Sequence, residues 1–276
     1  MLQDVLQPLL SQPVVWFCLP VTCFAAFLMG FTRSAFGGGG FVVSPLILLG
    51  LGGRNGLAVL APIMIFSGLM SAWQHRKEIE WPILNPLLYS AIFGTTIGGL
   101  ILWGIMAAGN LESIDHRVEI VVGGLTLLYV LLISLRDKIA KGGPNRTPHW
   151  WESFSIGSAV GISQTVANSG SPLLTVFFLR FHIPKERFVA AQVLYLLAQN
   201  IAKLVPFILL GILHFGNFGT SIILLPLVAI GGWAGQIGYK RFSEKAFFGL
   251  YICALILGFI ASVILIVGRM KLLDLL

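Results

Sequence analysis

Two polar, glycine-rich stretches interrupt a chain that is otherwise apolar enough to lie in a membrane. The first stretch covers residues 32–40 and the second covers residues 163–171. Backbone that leaves a helix inside a bilayer must satisfy its own N–H and C=O groups, so it persists only where it lines a cavity or is buried in protein. Paired breaks at matching places in two halves of a membrane chain indicate the substrate site of a transporter.

The composition supports placement in the membrane. Hydrophobic residues make up 57% of the 276 residues and charged residues only 11%, with a mean hydropathy of +0.90. Soluble domains carry about 25% charged residues. The net charge of +7 is concentrated in a few short loops, which favours membrane orientation signals over a nucleic-acid-binding surface. The cysteines (Cys18, Cys23 and Cys253) lie in apolar runs and are interpreted as small core residues.

The apolar residues fall into ten segments, five on each side of the polar loop at 136–149. We therefore predict one integral membrane domain, with a first repeat at 1–140 and a second repeat at 141–276. Adding 131 to a residue number in the first half gives its partner in the second, as for Gly39 and Gly170. The predicted segments are 14–29, 41–51, 56–73, 82–106, 118–135, 151–162, 172–181, 188–213, 218–238 and 246–267.

Lys and Arg are concentrated in four loops, at 74–80, 136–149, 180–187 and 239–245. Successive loops are separated by two long, two short and two long segments, so all four can lie on one side of the membrane. The positive-inside rule assigns that side to the cytoplasm. This assignment places both termini outside the cell. It also gives each half an odd number of crossings, so the two repeats are predicted to have inverted topology.

The segments at 41–51 and 172–181 are too short to span a bilayer as helices. We predict that they are half-helices that return from the middle of the membrane. One hairpin then enters from outside and the other from inside, and their tips meet near the midplane. The predicted fold is an all-α polytopic membrane protein with two inverted-topology repeats. Each repeat contains a re-entrant helical hairpin, broken by glycine and serine, plus three spanning helices.

A half-helix whose N-terminus points to the midplane presents free N–H groups with about half a positive charge, which suits an anion. Arg33 lies within the first break, and Lys203 lies deep in the segment at 188–213, with Gln192 and Gln199 on the same helix face. Charges inside membrane segments usually serve a function. The candidate substrate-binding residues are Thr32, Arg33, Ser34, Gly37, Gly38, Gly39, Gly40, Gln164, Thr165, Asn168, Ser169, Gly170, Ser171, Gln199 and Lys203.

Each of these features also has a purely structural interpretation. The glycine run at 37–40 can serve only as a tight turn or a helix-packing surface, and Arg33 can reach toward an interface. The polar residues of the segment at 188–213 can form hydrogen bonds between helices. The paired occurrence of the breaks favours the functional interpretation.

The acidic residues lie in loops or near segment ends, and none lies deep in an apolar run. An interior with cations and without carboxylates favours an anionic substrate. The five histidines are scattered through loops, and no zinc-protease, nucleophile-elbow or Walker A motif is present. We therefore expect no metal site, no cofactor and no enzymatic activity.

Three stretches resemble the TauE/SafE sulfite exporter family, also called the toluene sulfonate uptake permease family. They read GFTRSAFGGGGFVVSPLILLG, GISQTVANSGSPLLTVFFLRFHIP and AQVLYLLAQNIAKL. The resemblance covers nearly the whole chain and includes the two-repeat layout. Its matching positions are residues 37–40 with Pro45 in the first repeat, and residues 168–172 in the second. The resemblance implies a bacterial-type inner-membrane permease for sulfite or organosulfonate anions.

From the residues and the resemblance together, we expect a secondary transporter, a permease or exporter that moves small sulfur-containing anions by alternating access. The alternatives are an anion channel, a transporter of another small carboxylate or oxyanion, a membrane-embedded enzyme or sulfur-relay protein, and a purely structural membrane protein. The expected partners are the small anionic substrate and the lipid bilayer, without nucleic acid. A second copy of the chain, in a homodimer, is a further candidate partner. The sequence determines neither the direction of transport nor the coupling ion.

Overall fold

The computed structural model describes residues 15–107, 111–135, 146–181, 183–241 and 244–273, and this part of the chain contains helices and no strand. The predicted boundary between the repeats, at 140/141, and both chain termini lie outside the described residues. The helices are α1 (Val15–Phe36), α2 (Gly40–Leu51), α3 (Gly53–His75), α4 (Trp81–Ala107), α5 (Leu111–Ser134), α6 (Trp150–Ala167), α7 (Ser171–Arg180), α8 (Lys185–Ala202), α9 (Leu204–Leu209), α10 (Phe215–Arg241) and α11 (Glu244–Leu273), with a 3-10 turn at Arg76–Glu78.

Six stretches of the described chain are long and apolar enough to cross a membrane. They are Val15–Phe36, Gly53–Glu78, Trp81–Ala107, Ser113–Ser134, Glu186–Leu209 and Phe215–Arg241. Helices α2 and α7 have only 12 and 10 residues. At 1.5 Å per residue they are about 18 Å and 15 Å long, against a hydrocarbon core of about 30 Å. The prediction of an all-α polytopic membrane protein is confirmed, and α2 and α7 are too short to span a membrane, as predicted; the inverted repeats stay a prediction.

The two breaks are shorter than predicted, because the preceding helices continue through the polar residues. Helix α1 ends at Phe36, so only residues 37–39 leave the helix. Helix α6 ends at Ala167, so only residues 168–170 leave it. These two helix ends are 131 residues apart, which is the spacing that relates the two halves of the sequence.

The same backbone conformation ends both helices. Gly37 has φ 75° and Asn168 has φ 56°, which is the left-handed region that glycine and asparagine tolerate best. The N–H of Gly37 donates to the Arg33 carbonyl at 3.0 Å, and that of Asn168 donates to the Gln164 carbonyl at 3.1 Å. Both helices therefore end at the first residue that can reverse the chain without strain.

The predicted segment at 188–213 is not one continuous helix. Helix α8 ends at Ala202 and α9 begins at Leu204, with Lys203 in a turn between them. Pro206 has no N–H to donate to the Ala202 carbonyl, which removes one helical hydrogen bond at this point. Lys203 therefore lies at a third interruption of a membrane helix, a feature that was not predicted from the sequence.

Close glycine contacts pair the first arm of each hairpin with a long helix of the other half. Helix α1 crosses α10 so closely that a Cβ built on Gly30 would lie 1.9 Å from the Val228 carbonyl oxygen. Helix α6 crosses α4 in a similar way, since a Cβ built on Gly94 would lie 2.8 Å from the Gly161 Cα. Only glycine lets the backbones approach to this distance. The two hairpins are thus each held by the opposite half of the chain.

Three of the basic loops meet at one end of the molecule, in agreement with the prediction that they share a side. Arg187, in the first turn of α8, pairs with Glu80 in the α3–α4 loop at 2.8 Å. His75, at the end of α3, packs edge-on against Tyr239 near the end of α10, with ring centroids 5.3 Å apart. We call this the basic end.

The two hairpins open toward opposite ends. Arg146, before α6, lies 5.3 Å from the ring centroid of Phe181, after α7, so the second hairpin begins and ends beside a basic loop. After the first hairpin, the backbone N–H of Arg54 donates to Asp115 Oδ1 at 2.8 Å. Helices α3 and α5 start near these two residues and run toward the basic end. Ser221, near the start of α10, donates to the Val59 carbonyl near the start of α3 at 2.9 Å, so the α9–α10 loop lies toward this second end as well. Burial and the charge of Arg54 lower the pKa of His214 in that loop.

Candidate functional site

The tips of the two hairpins are in contact. A Cβ built on Gly38 would lie 2.6 Å from the Ser171 Cβ, and one built on Gly40 would lie 2.4 Å from the Asn168 carbonyl oxygen. The missing side chains of the first break therefore leave the space that the second break occupies. The residues of both breaks are buried. The predicted meeting of the tips is observed.

Arg33, in the last turn of α1, is 1% exposed. Its guanidinium lies between α3 and α8, since its Nη2 would be 3.2 Å from a Cβ built on Gly68, which also contacts Leu197. The backbone carbonyl of Arg33 accepts a hydrogen bond from Ser71 Oγ at 3.2 Å. Arg33 thus faces the protein interior and not a membrane interface.

The other two candidate side chains of the first break have structural contacts. Thr32 Oγ1 donates to the Leu28 carbonyl of its own helix at 2.8 Å. The same hydroxyl would lie 2.0 Å from a Cβ built on Gly39, so Thr32 packs directly on the glycine run. Ser34 points toward α10, with its Oγ 3.2 Å from a Cβ built on Gly232. Neither hydroxyl is aimed at the second break.

The second break is organised by Gln164. Its Oε1 accepts the backbone N–H of Gly170 at 3.0 Å, and its Nε2 donates to Asn200 Oδ1 at 3.0 Å. The Gly170 N–H is therefore already occupied. Ser169 Oγ donates to the Ala167 carbonyl at 2.8 Å and closes the turn.

Lys203 is 0% exposed and reaches the second break from the α8–α9 interruption. Its Nζ donates to Asn168 Oδ1 and lies 3.5 Å from Met64 Sδ. The ammonium also lies 5.7 Å from the centroid of the Phe207 ring, at the outer range of a cation–π contact. The positive charge of Arg33 acts on the Lys203 ammonium as well. The structure thus brings both predicted cations to one region.

Gln199 serves helix packing. Its Nε2 donates to Thr95 Oγ1 at 2.6 Å, to the Gly161 carbonyl at 3.0 Å and to Thr165 Oγ1 at 3.3 Å. These hydrogen bonds link α8 to α4 and α6. Gln199 therefore follows the structural interpretation of the polar residues in this segment, which was hydrogen bonding between helices. Thr165 additionally donates to the Gly161 carbonyl at 2.9 Å. Gln192, seven residues earlier, instead touches the first break, because its Nε2 would lie 2.5 Å from a Cβ built on Gly38.

Several buried donor atoms at the junction have no hydrogen-bond partner within the described part of the chain. They are Arg33 Nε and Nη2, Asn168 Nδ2, Asn200 Nδ2 and Ser171 Oγ. An unsatisfied buried donor costs about 1–3 kcal/mol, so such groups call for an explanation. All but the serine hydroxyl are pure donors. A set of unpaired donors is complementary to a ligand made of acceptors.

The electrostatics point the same way. Within the residues that the structure describes, the recorded ion pairs lie at the basic end, and none includes Arg33 or Lys203. Two buried cations outside these ion pairs give the junction positive charge, and a charge in a low-dielectric interior is costly unless it has a partner. Among the same residues, no group of three His, Cys, Asp or Glu side chains is placed to hold a metal ion.

Met64 is the residue of the junction that was missed from the sequence. It lies on α3 and touches both tips, because its Sδ is 3.5 Å from Gln164 Nε2 and its Cε would be 2.7 Å from a Cβ built on Gly40. A methionine inside an apolar run carries no polar signal. Asn200 is a polar residue of the junction that was also not among the predicted site residues. Its position in the sequence, beside Gln199 and Lys203, was the signal that could have identified it.

These features define an α-helical multi-pass membrane protein with a positively charged, buried junction between two broken helices. The chain belongs to the TauE/SafE family, because residues 22–262 of its 276 match the family described as Sulfite exporter TauE/SafE. This family membership confirms the resemblance and implies a membrane transporter of the sulfite and sulfonate exporter type. No curated protein and no solved structure matches the chain.

Proposed function

We propose that this chain is a secondary carrier that moves sulfite or an organosulfonate through the junction of its two hairpin tips. The observation that carries the proposal is the cluster of buried, unpartnered donors beside two cations. Sulfite and the sulfonate group each present three oxygen acceptors and a negative charge. Such a ligand would satisfy donors that have no partner among the described residues and would neutralise part of the buried positive charge.

The proposed contacts follow from the geometry. Arg33 and Lys203 supply the charge, and the amides of Asn168 and Asn200 with the Ser171 hydroxyl supply further donors. The N-terminus of α2 adds backbone N–H groups that have no helical partner, which suits an anion. Gln164, Thr165, Ser169 and Gly170 hold the second tip in shape.

Two repeats of inverted topology, at 1–140 and 141–276, would provide alternating access. The hairpins open toward opposite ends, and α1 crosses α10 as α6 crosses α4. These correspondences support the proposal that one repeat moves against the other around the junction. In the described conformation the break residues are buried, which fits a closed intermediate.

We place the protein in the cell inner membrane with the basic end in the cytoplasm and both termini outside. An inside-negative potential then favours export of a monoanion by about 2.3 kcal/mol per 100 mV. Export therefore needs no coupling ion, whereas uptake does. The carrier acts by moving its substrate and carries out no chemical step, and a homodimer is the proposed assembly.

Labelled sulfite flux into proteoliposomes with an imposed membrane potential tests the proposal. The comparison is wild type, Arg33→Ala and Lys240→Ala, because Lys240 is an exposed cation at the basic end of α10 and matches Arg33 in charge only. We expect saturable, voltage-driven flux in the wild type and in Lys240→Ala, and loss of flux in Arg33→Ala with the fold intact.

The other outcomes identify the error. Flux that does not saturate with sulfite concentration would favour an anion channel. No flux of sulfite or of a panel of organosulfonates in the wild type would remove sulfur anions as substrates. Normal flux in Arg33→Ala would leave a carrier in place but would move its anion site away from the first break.

A further inference from the structure

Met64 lies at the centre of the polar junction. Its side chain comes from the middle of α3 and is fully buried. Lys203 Nζ and Gln164 Nε2 both lie 3.5 Å from its Sδ. Its methyl group lies against Gly40 of the first break. One apolar side chain is therefore in contact with both tips and with a buried cation.

A thioether is a weak hydrogen-bond acceptor. Lys203 Nζ and Gln164 Nε2 each donate one hydrogen bond to an asparagine oxygen, and each directs a further N–H toward this weak acceptor. Beside them, the amide nitrogens of Asn168 and Asn200 have no partner among the described residues. Two donors thus meet at the methionine sulfur, and that place suits an oxygen acceptor better than a sulfur atom.

We infer that Met64 occupies the position of the substrate anion and limits the size of the anion that the junction accepts. This inference rests on the proposed function. When an anion binds, its oxygens take the donors that now face Met64 Sδ, and the flexible methionine side chain moves aside. The space that it can vacate, between α3 and the two tips, sets how large a group may be attached to the sulfur atom of the substrate.

The selection predicted here is for sulfite and small sulfonates over bulky ones. Truncation of Met64 enlarges the site without removing a charge or a hydrogen-bond donor. The ratio of the dissociation constants for benzenesulfonate and sulfite should therefore fall, while sulfite binding is retained. An added or missing group in a packed site changes such a ratio by about tenfold or more.

The test is equilibrium binding of sulfite, methanesulfonate and benzenesulfonate to the purified full chain, by isothermal titration calorimetry. Met64→Ala is expected to lower the benzenesulfonate-to-sulfite ratio by about tenfold or more. Met64→Val removes less volume and should lower the ratio by a smaller factor. This variant replaces Met64→Ala in the test if Met64→Ala does not fold. Met64→Leu keeps the bulk and should leave the ratio near the wild-type value.

Met70 provides the matched control. It lies on the same helix, six residues nearer the basic end, and packs against Gly232 of α10. Met70→Ala should leave the ratio unchanged. A ratio that stays at the wild-type value in both Met64→Ala and Met64→Val, with sulfite still bound, would overturn the inference and leave the proposed function standing. An equal shift in Met70→Ala would also overturn it. If the wild type binds none of the three anions, the proposed function fails, and this inference fails with it.

Discussion

The two helix breaks perform the same backbone reversal with different residues. The first uses glycine at its left-handed position and continues with three more glycines, so it contributes backbone and space. The second uses Asn168 at φ 56° and continues with serines, so it contributes side chains. A Cβ at Gly38 or Gly40 would collide with the second break. The glycines of one break are therefore the reason that the side chains of the other fit.

The two breaks also differ in the source of their positive charge. Arg33 lies four residues before the left-handed glycine, on the helix that leads into the first break. At the corresponding place before the second break stands Gln164, which is neutral and holds the Gly170 N–H. The second break receives its cation through Asn168 from Lys203, which lies in the turn between α8 and α9. One break thus carries its own cation, and the other binds a cation from elsewhere in the fold.

The largest effect is expected from a side chain in the first break. In Gly40→Ala the new Cβ would lie 2.4 Å from the Asn168 carbonyl oxygen, and a backbone oxygen cannot rotate away. The tips must separate, so we expect loss of transport and a decrease in the free energy of unfolding of about 1–3 kcal/mol. Thermal unfolding in detergent and sulfite flux measure the two effects.

Gly124→Ala is the control for this substitution, because a Cβ at Gly124 meets no atom within 4 Å and alanine favours the helix. It should be as stable as the wild type or slightly more stable. A Gly40→Ala protein with wild-type stability and flux would show that the first break does not need its glycines for space.

We expect Lys203→Met to reduce transport without reducing stability. It removes a buried cation and keeps a side chain of similar length. Because a lost hydrogen bond to a charged group costs about 1.5–3 kcal/mol, sulfite affinity and flux should fall about tenfold or more. The melting temperature should be no lower than that of the wild type, since burying an ammonium is costly and methionine suits an apolar site. A variant with normal flux would remove Lys203 from the site.

The third prediction tests whether Asn168 has separate backbone and side-chain roles. Asn168→Gly and Asn168→Ala both remove the amide that contacts Lys203, but only glycine tolerates the positive φ. Transport should fall severalfold and equally in both. The alanine variant alone should be less stable, by about 1 kcal/mol. Equal stabilities, measured by thermal unfolding, would contradict the assignment of a backbone role.

The smallest effect is expected where the second hairpin begins. Hydrogen bonds from Arg146 and from the His149 N–H lower the pKa of the Glu152 carboxyl to about 2, against an ordinary value of 4.5. Because the folded pKa is depressed, the stability from this pair is present at neutral pH and is lost as the pH falls from about 4.5 toward 2. The first hairpin differs at this point, because helix α1 has no acidic residue in its first turn.

Melting temperatures of the wild type and Glu152→Gln, measured between pH 7 and pH 3, check this prediction. The wild type should be slightly more stable at pH 7, since the pair is exposed and such pairs contribute little. The difference should shrink below about pH 4.5. A difference that grows at low pH would show that the sign is wrong.

The parts of this structure that the sequence predicts are those with a local signal. Gly37 and Asn168 reverse the chain through their own backbone preferences, and a helix of 10 or 12 residues cannot span a membrane. The basic loops predict a shared end because charge is excluded from the bilayer. Lys203 and Arg33 are conspicuous because ionised side chains are rare in apolar segments.

The parts that were not predicted depend on how the helices are rotated and packed. Gln199 lies on the same helix face as Gln192 and Lys203, yet it bonds Thr95 of α4, and only the packing of α4 against α8 decides this. The position of Met64 at the junction depends on its contacts with several other elements of the fold. The interruption at Lys203 had a local cause in Pro206, since proline frequently breaks a helix, but proline is also tolerated in membrane helices.

Calorimetric titration of sulfite into the purified wild-type protein and into the Arg33→Met, Lys203→Met double variant tests the central claim most directly. The account predicts saturable binding to the wild type, and a loss of about a hundredfold or more in the double variant, because two charge-assisted contacts disappear. A folded double variant that binds sulfite as tightly as the wild type would contradict the claim that the junction of the two breaks is the anion site.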